Sequence, residues 1–133
     1  MKKITITVFL FAFFIATYLF VFKNNFCKNN QAKKYQINNK NYCLLTANNQ
    51  KEWKRGLMFY KKPVDFDGMI FIFPEKSIKS FWNENTYMDL DIYWMDGSKV
   101  IGKSYLPSIF KSKTIFTVDS KKAVDRVVEI IKY

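Results

Sequence analysis

Asp89 and Asp91 stand two positions apart in a segment of alternating character, Met88-Asp89-Leu90-Asp91-Ile92-Tyr93-Trp94. On an extended strand such residues project to one face, about 7 Å apart. Two carboxylates so placed can serve as acid and base in glycoside hydrolysis, or hold a hard cation when more oxygen ligands join them. Solvation of both, or a pair between Asp91 and Arg55, is the simpler expectation. A second constellation is Trp82, Asn85 and Thr86, an aromatic plane beside an amide and a hydroxyl. It can stack on a sugar or peptide and direct hydrogen bonds to it. The same residues also make a turn whose side chains satisfy loop backbone groups. Arg55 offers a planar fork for a carboxylate or other anion, or a structural partner for a core-edge carboxylate.

Much chemistry is excluded. Histidine is absent, so imidazole bases, Ser-His-Asp and Cys-His nucleophiles and imidazole-ligated zinc are ruled out. Two cysteines cannot form a four-thiolate metal site. No glycine-rich phosphate loop, nucleophile elbow or redox motif occurs. No cofactor or metal is therefore expected, and an enzyme is less expected than a binding module. Asn85-Thr86-Tyr87 lacks the third-position hydroxyl of a glycosylation acceptor.

The chain has 133 residues, 49% of them hydrophobic and 19% aromatic, which suits one compact domain plus an appendage and excludes a disordered chain. Its 22 Lys+Arg against 11 Asp+Glu leave a net charge of +11. A basic domain can meet nucleic acid, anionic lipid or an acidic wall polymer. The lysines are scattered along the chain rather than grouped, which makes nucleic acid the weakest of these readings.

The appendage is N-terminal. Between Ile4 and Phe22 the only polar residues are Thr5, Thr7, Thr17 and Tyr18. At about 1.5 Å per residue this run nearly spans the hydrocarbon core of a bilayer as a helix, and lipid forces the helix on it because backbone groups find no other partners there. A cleaved signal peptide usually has a shorter apolar core ending at a small-x-small site, whereas this run ends Leu19-Phe20-Val21-Phe22-Lys23. An uncleaved anchor over residues 1–22 is expected, with the bilayer as its partner. Lysines flank both ends, and counting them alone places the body in the cytoplasm. The very short basic N-tail has the form of an export signal, and on that ground the body is assigned to the extracytoplasmic side. Residues 23–34 read as a polar tether and 35–133 as the domain. Cys27 and Cys43 can pair if the body is outside, and both free is an equal expectation.

The elements that position these residues read as mainly β. Tyr42–Thr46 suits a strand. Asn49 and Glu52 form a capping box for a short helix from Gln50 to Arg55, stopped by Gly56. Pro63 and Asp67-Gly68 mark turns. Met69–Phe73 is wholly apolar, a strand buried on both faces and stopped by Pro74. Asp96-Gly97 is a hairpin signal leading into Lys99–Lys103, and Thr114–Val118 reads as another strand. Val124, Val127, Val128 and Ile131 fall at i, i+3, i+4 and i+7, predicting a last helix capped by Ser120. The sum is a single antiparallel sandwich or barrel-like domain with short helices, preceded by one transmembrane helix.

Four segments occur in order at close spacing: Arg55-Gly56-Leu57-Met58-Phe59, Gly68-Met69-Ile70-Phe71-Ile72-Phe73-Pro74, Ser80-Phe81-Trp82-Asn83-Glu84-Asn85-Thr86 and Leu90-Asp91-Ile92. Together they resemble the family called domain of unknown function 192, over about residues 35–118. The resemblance implies a small β-rich domain, often secreted or membrane-anchored, of no established activity. The chain departs from the family pattern at Asn83 and Glu84, where Met-Lys is usual, and at Asp89, where a proline is usual. Thr117 takes the place of a glutamate expected after the last core strand, and the closing Gly-Asp turn is missing. The expected function is a membrane-anchored, extracytoplasmic binding or structural module at the cell envelope, meeting an anionic or carbohydrate component through Arg55, Trp82, Asn85, Thr86 and Asp91. The alternatives are a wall-polymer hydrolase using Asp89 and Asp91, and a cytoplasmic-facing domain binding nucleic acid or anionic lipid.

Overall fold

The structure is a computed structural model and describes residues 26–133. The expected anchor over residues 1–22 lies outside the described residues. Among those described, no helix is long and apolar enough to cross a membrane. The order is β1 (Lys33–Ile37), β2 (Lys40–Ala47), α1 (Gln50–Arg55), β3 (Gly68–Ser77), β4 (Ser80–Trp82), β5 (Leu90–Asp96), β6 (Lys99–Leu106), α2 (Ile109–Ser112), β7 (Thr117–Asp119) and β8 (Val124–Ile131). Six strands form one curled, half-barrel sheet in the order β1-β2-β3-β8-β5-β6, and β4 pairs with β7 in a separate ribbon. The fold is mainly β and barrel-like, as the alternation along the chain predicts.

Three local readings are corrected. The last segment is not a helix: β8 lies between β3 and β5 and pairs antiparallel with both. Its apolar spacing fits a helix, but its Val and Ile residues are branched at Cβ and pack well on a pleated surface. Burial on both faces removes the period-2 signal that would have identified a strand. The sheet is also mixed, because β2 and β3 run parallel, with Leu44 opposite Gly68; α1 and the loop after it supply the crossover. Finally, Pro74 does not end β3. It falls between Ile72 and Ser77, where the register against β8 shifts, and at such an irregularity no ladder hydrogen bond is required of its nitrogen.

Other elements form as read. Asn49 accepts from the Glu52 amide at 3.1 Å to cap α1, while the Glu52 carboxylate reaches back to the amide of Asn48 at 2.9 Å. Gly56 ends the helix with φ of +48°, a conformation that is costly for any residue with a Cβ.

The sheet buries both faces. Leu45, Ala47, Met69, Phe71, Leu90, Ile92, Trp94 and Val127 belong to the larger core on the concave face, and Ile37, Leu44, Ile70, Met95, Val128 and Ile130 to a smaller one on the other. The polar stretch before β1 is tied to the domain: Cys27 and Cys43 form a disulfide with Cα atoms 5.5 Å apart, and Asn29 donates to Asp65 at 2.8 Å. The bond closes a loop of sequence separation 16. Its loss restricts the unfolded chain less, so Cys27→Ala combined with Cys43→Ala is expected to cost about 3 kcal/mol, measured by denaturant unfolding as a lower midpoint.

Candidate functional site

Among the described residues, Glu129 on β8 is the one charged side chain that is buried. Ile92 and Met69 are its register partners on β5 and β3. Alternation along β8 sends Val127, Glu129 and Ile131 to the concave face and Val128 and Ile130 to the other. Glu129 is only 4% exposed, and its Oε2 has no hydrogen-bond partner. Burial raises its carboxyl to about 8, because the low-dielectric surroundings disfavour the charged form and no cation or donor offsets them. At neutral pH the group is an acid that still holds its proton.

Above that carboxyl lies a cavity of about 350 Å³, walled by Trp53, Phe71, Phe73, Phe81 and Trp82. The walls are held in place by specific contacts. Trp53 donates its indole N–H to the carbonyls of Ala47 and Ile72, each at 3.1 Å, and its ring lies 5.1 Å from Phe73. Phe81 meets Phe71 edge-to-face at 4.8 Å. Gly56 keeps the floor open: a Cβ there would lie 3.3 Å from Phe71 Cζ and 3.8 Å from Glu129 Oε2. At the rim stand Lys54, Arg55 and Lys79, with the Lys79 ammonium 4.0 Å from the centroid of the Phe73 ring. The arrangement is an apolar slot with a proton donor at its floor and cations at its mouth, suited to binding an extended ligand with an anionic end.

Of the five residues singled out from sequence, Arg55, Trp82 and Thr86 line this cavity. Trp82 is exposed at its edge, whereas Thr86 is buried, with its hydroxyl donating to the Glu84 carbonyl at 3.3 Å. Asn85 is a turn residue with φ of +53° whose carbonyl accepts from the Phe59 amide. Asp91 points to the opposite face from Ile92 and does not meet Arg55. It pairs with Lys103 at 2.9 Å and Lys132 at 3.3 Å, while the Arg55 guanidinium sits 5.9 Å from the Tyr60 ring centroid.

Asp89 and Asp91 do not form a free carboxylate pair. Asp89 precedes β5 and accepts from the Ser108 amide at 2.8 Å, from the Tyr105 hydroxyl at 2.7 Å and from Lys111 at 3.2 Å. Partial burial pushes its carboxyl up, but the Ser108, Tyr105 and Lys111 donors outweigh that and hold it at about 2. A group so acidic cannot deliver a proton at neutral pH. Among the described residues no group of three or more His, Cys, Asp or Glu side chains is placed to hold a metal.

Asn83 braces the ribbon side of the site. Fully buried, it donates to the Pro107 carbonyl at 2.8 Å and Ser112 Oγ at 2.7 Å, and accepts from the Phe116 amide at 2.7 Å. It thereby ties the loop after β4 to α2 and to the approach to β7. Asn83→Ala is expected to cost about 3 kcal/mol, since it leaves partners unsatisfied as well as removing bonds; thermal melting measures this directly.

The model of the family DUF192, described as "Uncharacterized ACR", matches residues 33–132. The chain belongs to the DUF192 family. The match runs past Val118, where the sequence resemblance ended, and takes in β8. Thr117, which the sequence reading placed after the last core strand, is an exposed residue of the β4–β7 ribbon, and the last strand of the core sheet is β8. Two solved structures are similar. One, from Sinorhizobium meliloti 1021, is provisionally described as a transcription regulator and shares 22% identity, with a TM-score of 0.60 over 74% of this chain and 77% of that one. The other, of unknown function, is from Novosphingobium aromaticivorans DSM 12444, with 22% identity and a TM-score of 0.59 over 74% and 70% of the two chains. At that identity the likeness establishes the fold alone. No curated protein matches the chain.

Glu129 itself escaped the sequence reading. As part of a helix, Val124, Val127, Val128 and Ile131 would face the core and Glu129 the solvent; as part of a strand it faces inward with Val127 and Ile131. The available signal was its position within Val127-Val128-Glu129-Ile130-Ile131, an apolar run too uniform for a solvated helix face.

Proposed function

We propose that this DUF192 chain is a ligand-binding module of the cell envelope, anchored by residues 4–22, with its β domain on the extracytoplasmic side. The observation that carries the reading is an unpartnered, buried carboxyl at the floor of an open aromatic cavity. Folding leaves such a group unsatisfied only at a cost, and a ligand that supplies its hydrogen-bond partner relieves that cost. The basic rim favours an anionic ligand and the aromatic walls favour sugar or peptide faces, so the proposed ligand is an acidic wall-polymer fragment. The apolar run 4–22 supports the anchor, and the Cys27–Cys43 bond supports an oxidising compartment.

Two measurements test this. A reporter at the C-terminus that requires export should be active, and activity of a cytoplasm-only reporter instead would overturn the location. Soluble peptidoglycan fragments titrated into the full chain in detergent should give a saturable change in tryptophan fluorescence, since Trp53 and Trp82 line the cavity. Arg55→Ala should weaken binding about tenfold, the worth of one charge-assisted contact. The absence of saturable change with the wild-type chain would overturn the pocket assignment.

A further inference from the structure

A second concavity lies at one end of the sheet, and strand register identifies which end. The chain enters the described fold at Cys27, bonded to Cys43, one residue from the rung that pairs Leu44 with Gly68. Gly68 pairs in turn with Ile130, and Ile131 with Leu90, which faces Leu106. These rungs all stand at the same end of the sheet, where β3 and β5 begin and β6 and β8 finish. Just beyond them an open cleft of about 540 Å³ is lined by Lys61, Lys62, Lys111 and Lys132, with Asp89 as the one carboxylate in its lining; Lys111 pairs with Asp89 and Lys132 with Asp91, which leaves Lys61 and Lys62 in excess. Aromatic residues fringe it: Phe110 is 68% exposed and Tyr133 82%. Lys61 lies over the Tyr87 ring and Lys62 over the Tyr133 ring.

From this placement we propose that the cleft seats anionic phospholipid headgroups of the bilayer that holds residues 4–22. The inference rests on the anchor reading above. Five residue steps lead from Phe22 to Cys27, a reach of at most about 18 Å even fully extended, so the end of the sheet bearing the cleft cannot stray far from the lipid surface. Clustered lysines next to a membrane segment attract anionic headgroups, and exposed aromatic rings favour the headgroup level. Phe110 and Tyr133 enter the interface while the ammonium groups of Lys61 and Lys62 meet phosphates, so lipid charge fixes how the domain, and the mouth of its pocket, is presented.

The test is hydrogen exchange of the full chain in nanodiscs of phosphatidylcholine, with and without phosphatidylglycerol. Amides of residues 109–113 and 132–133 should be protected only in the anionic discs, and high salt should remove the protection. Lys61→Glu combined with Lys62→Glu should reduce that protection roughly 30-fold, from the per-lysine strength of such contacts. Equal protection in both lipids overturns the proposal, as does protection that requires two chains per disc, which would mark a second copy as the occupant. If the chain is recovered free of discs, the anchor reading fails separately. Flotation of that chain with phosphatidylglycerol vesicles at low salt would then still support the cleft, and no flotation would overturn it.

Discussion

Glu129→Gln is expected to abolish most of the pH dependence of stability between pH 4.5 and about 8. The folded chain holds the Glu129 proton up to about pH 8, whereas the unfolded chain releases it near the ordinary value of 4.5. Through that interval the folded state therefore binds more protons than the unfolded state. Stability is fully present below pH 4.5, falls as pH rises, and levels off above 8. The full excursion is on the order of 5 kcal/mol. Gln has the same shape and cannot ionise, so its unfolding curve should be flat across the window and should exceed wild type at pH 9. Chemical denaturation at a series of pH values measures both. A wild-type midpoint that does not move from pH 5 to 8 would show that the carboxyl has water or a partner. The loss expected on acidification has another origin and another window: Asp89, held at about 2, contributes stability above the ordinary carboxylate range that disappears as pH falls toward 2.

The largest structural effect is expected at Gly68. A Cβ at this position would lie 1.8 Å from the Glu129 carbonyl oxygen and 3.1 Å from Ile130 Cα. The obstruction is the backbone of the neighbouring strand β8, so no rotamer change relieves it. Gly68→Ala must push β3 from β8, disturbing both cores and displacing Glu129 from the cavity floor. A loss of about 4 kcal/mol or more is expected, beyond ordinary overpacking, read as failure to fold or a much lower melting temperature. Gly97→Asn is the matched control: that position has φ of +57° and open space around its would-be Cβ, and Asn tolerates the left-handed region. Its effect should stay within about 0.5 kcal/mol.

Legibility differed by element. The α1 helix was readable because its signals are local: a side-chain cap at Asn49, a partner at Glu52 and a glycine stop. The Asp96-Gly97 hairpin and the alternating β5 segment were readable for the same reason. At β8 the local signals are ambiguous, and the choice between helix and strand depends on whether two neighbouring strands need pairing. The candidate site divided along that line. Arg55, Trp82 and Thr86 belong to locally recognisable segments and do line the cavity. Asp91 was assigned to Arg55 by charge alone, and Lys103 and Lys132 hold it on the opposite face.

Composition and local pattern determined the mainly β class, the capped helix, the tight turns and the absence of imidazole chemistry, because each depends on residue types or on neighbours a few positions apart. Tertiary structure alone decided that β2 and β3 run parallel, that β8 is a central strand and that a lone carboxyl closes the floor of an aromatic slot. These depend on pairings between residues dozens of positions apart, and on the loss of water around Glu129 that only the closed sheet produces.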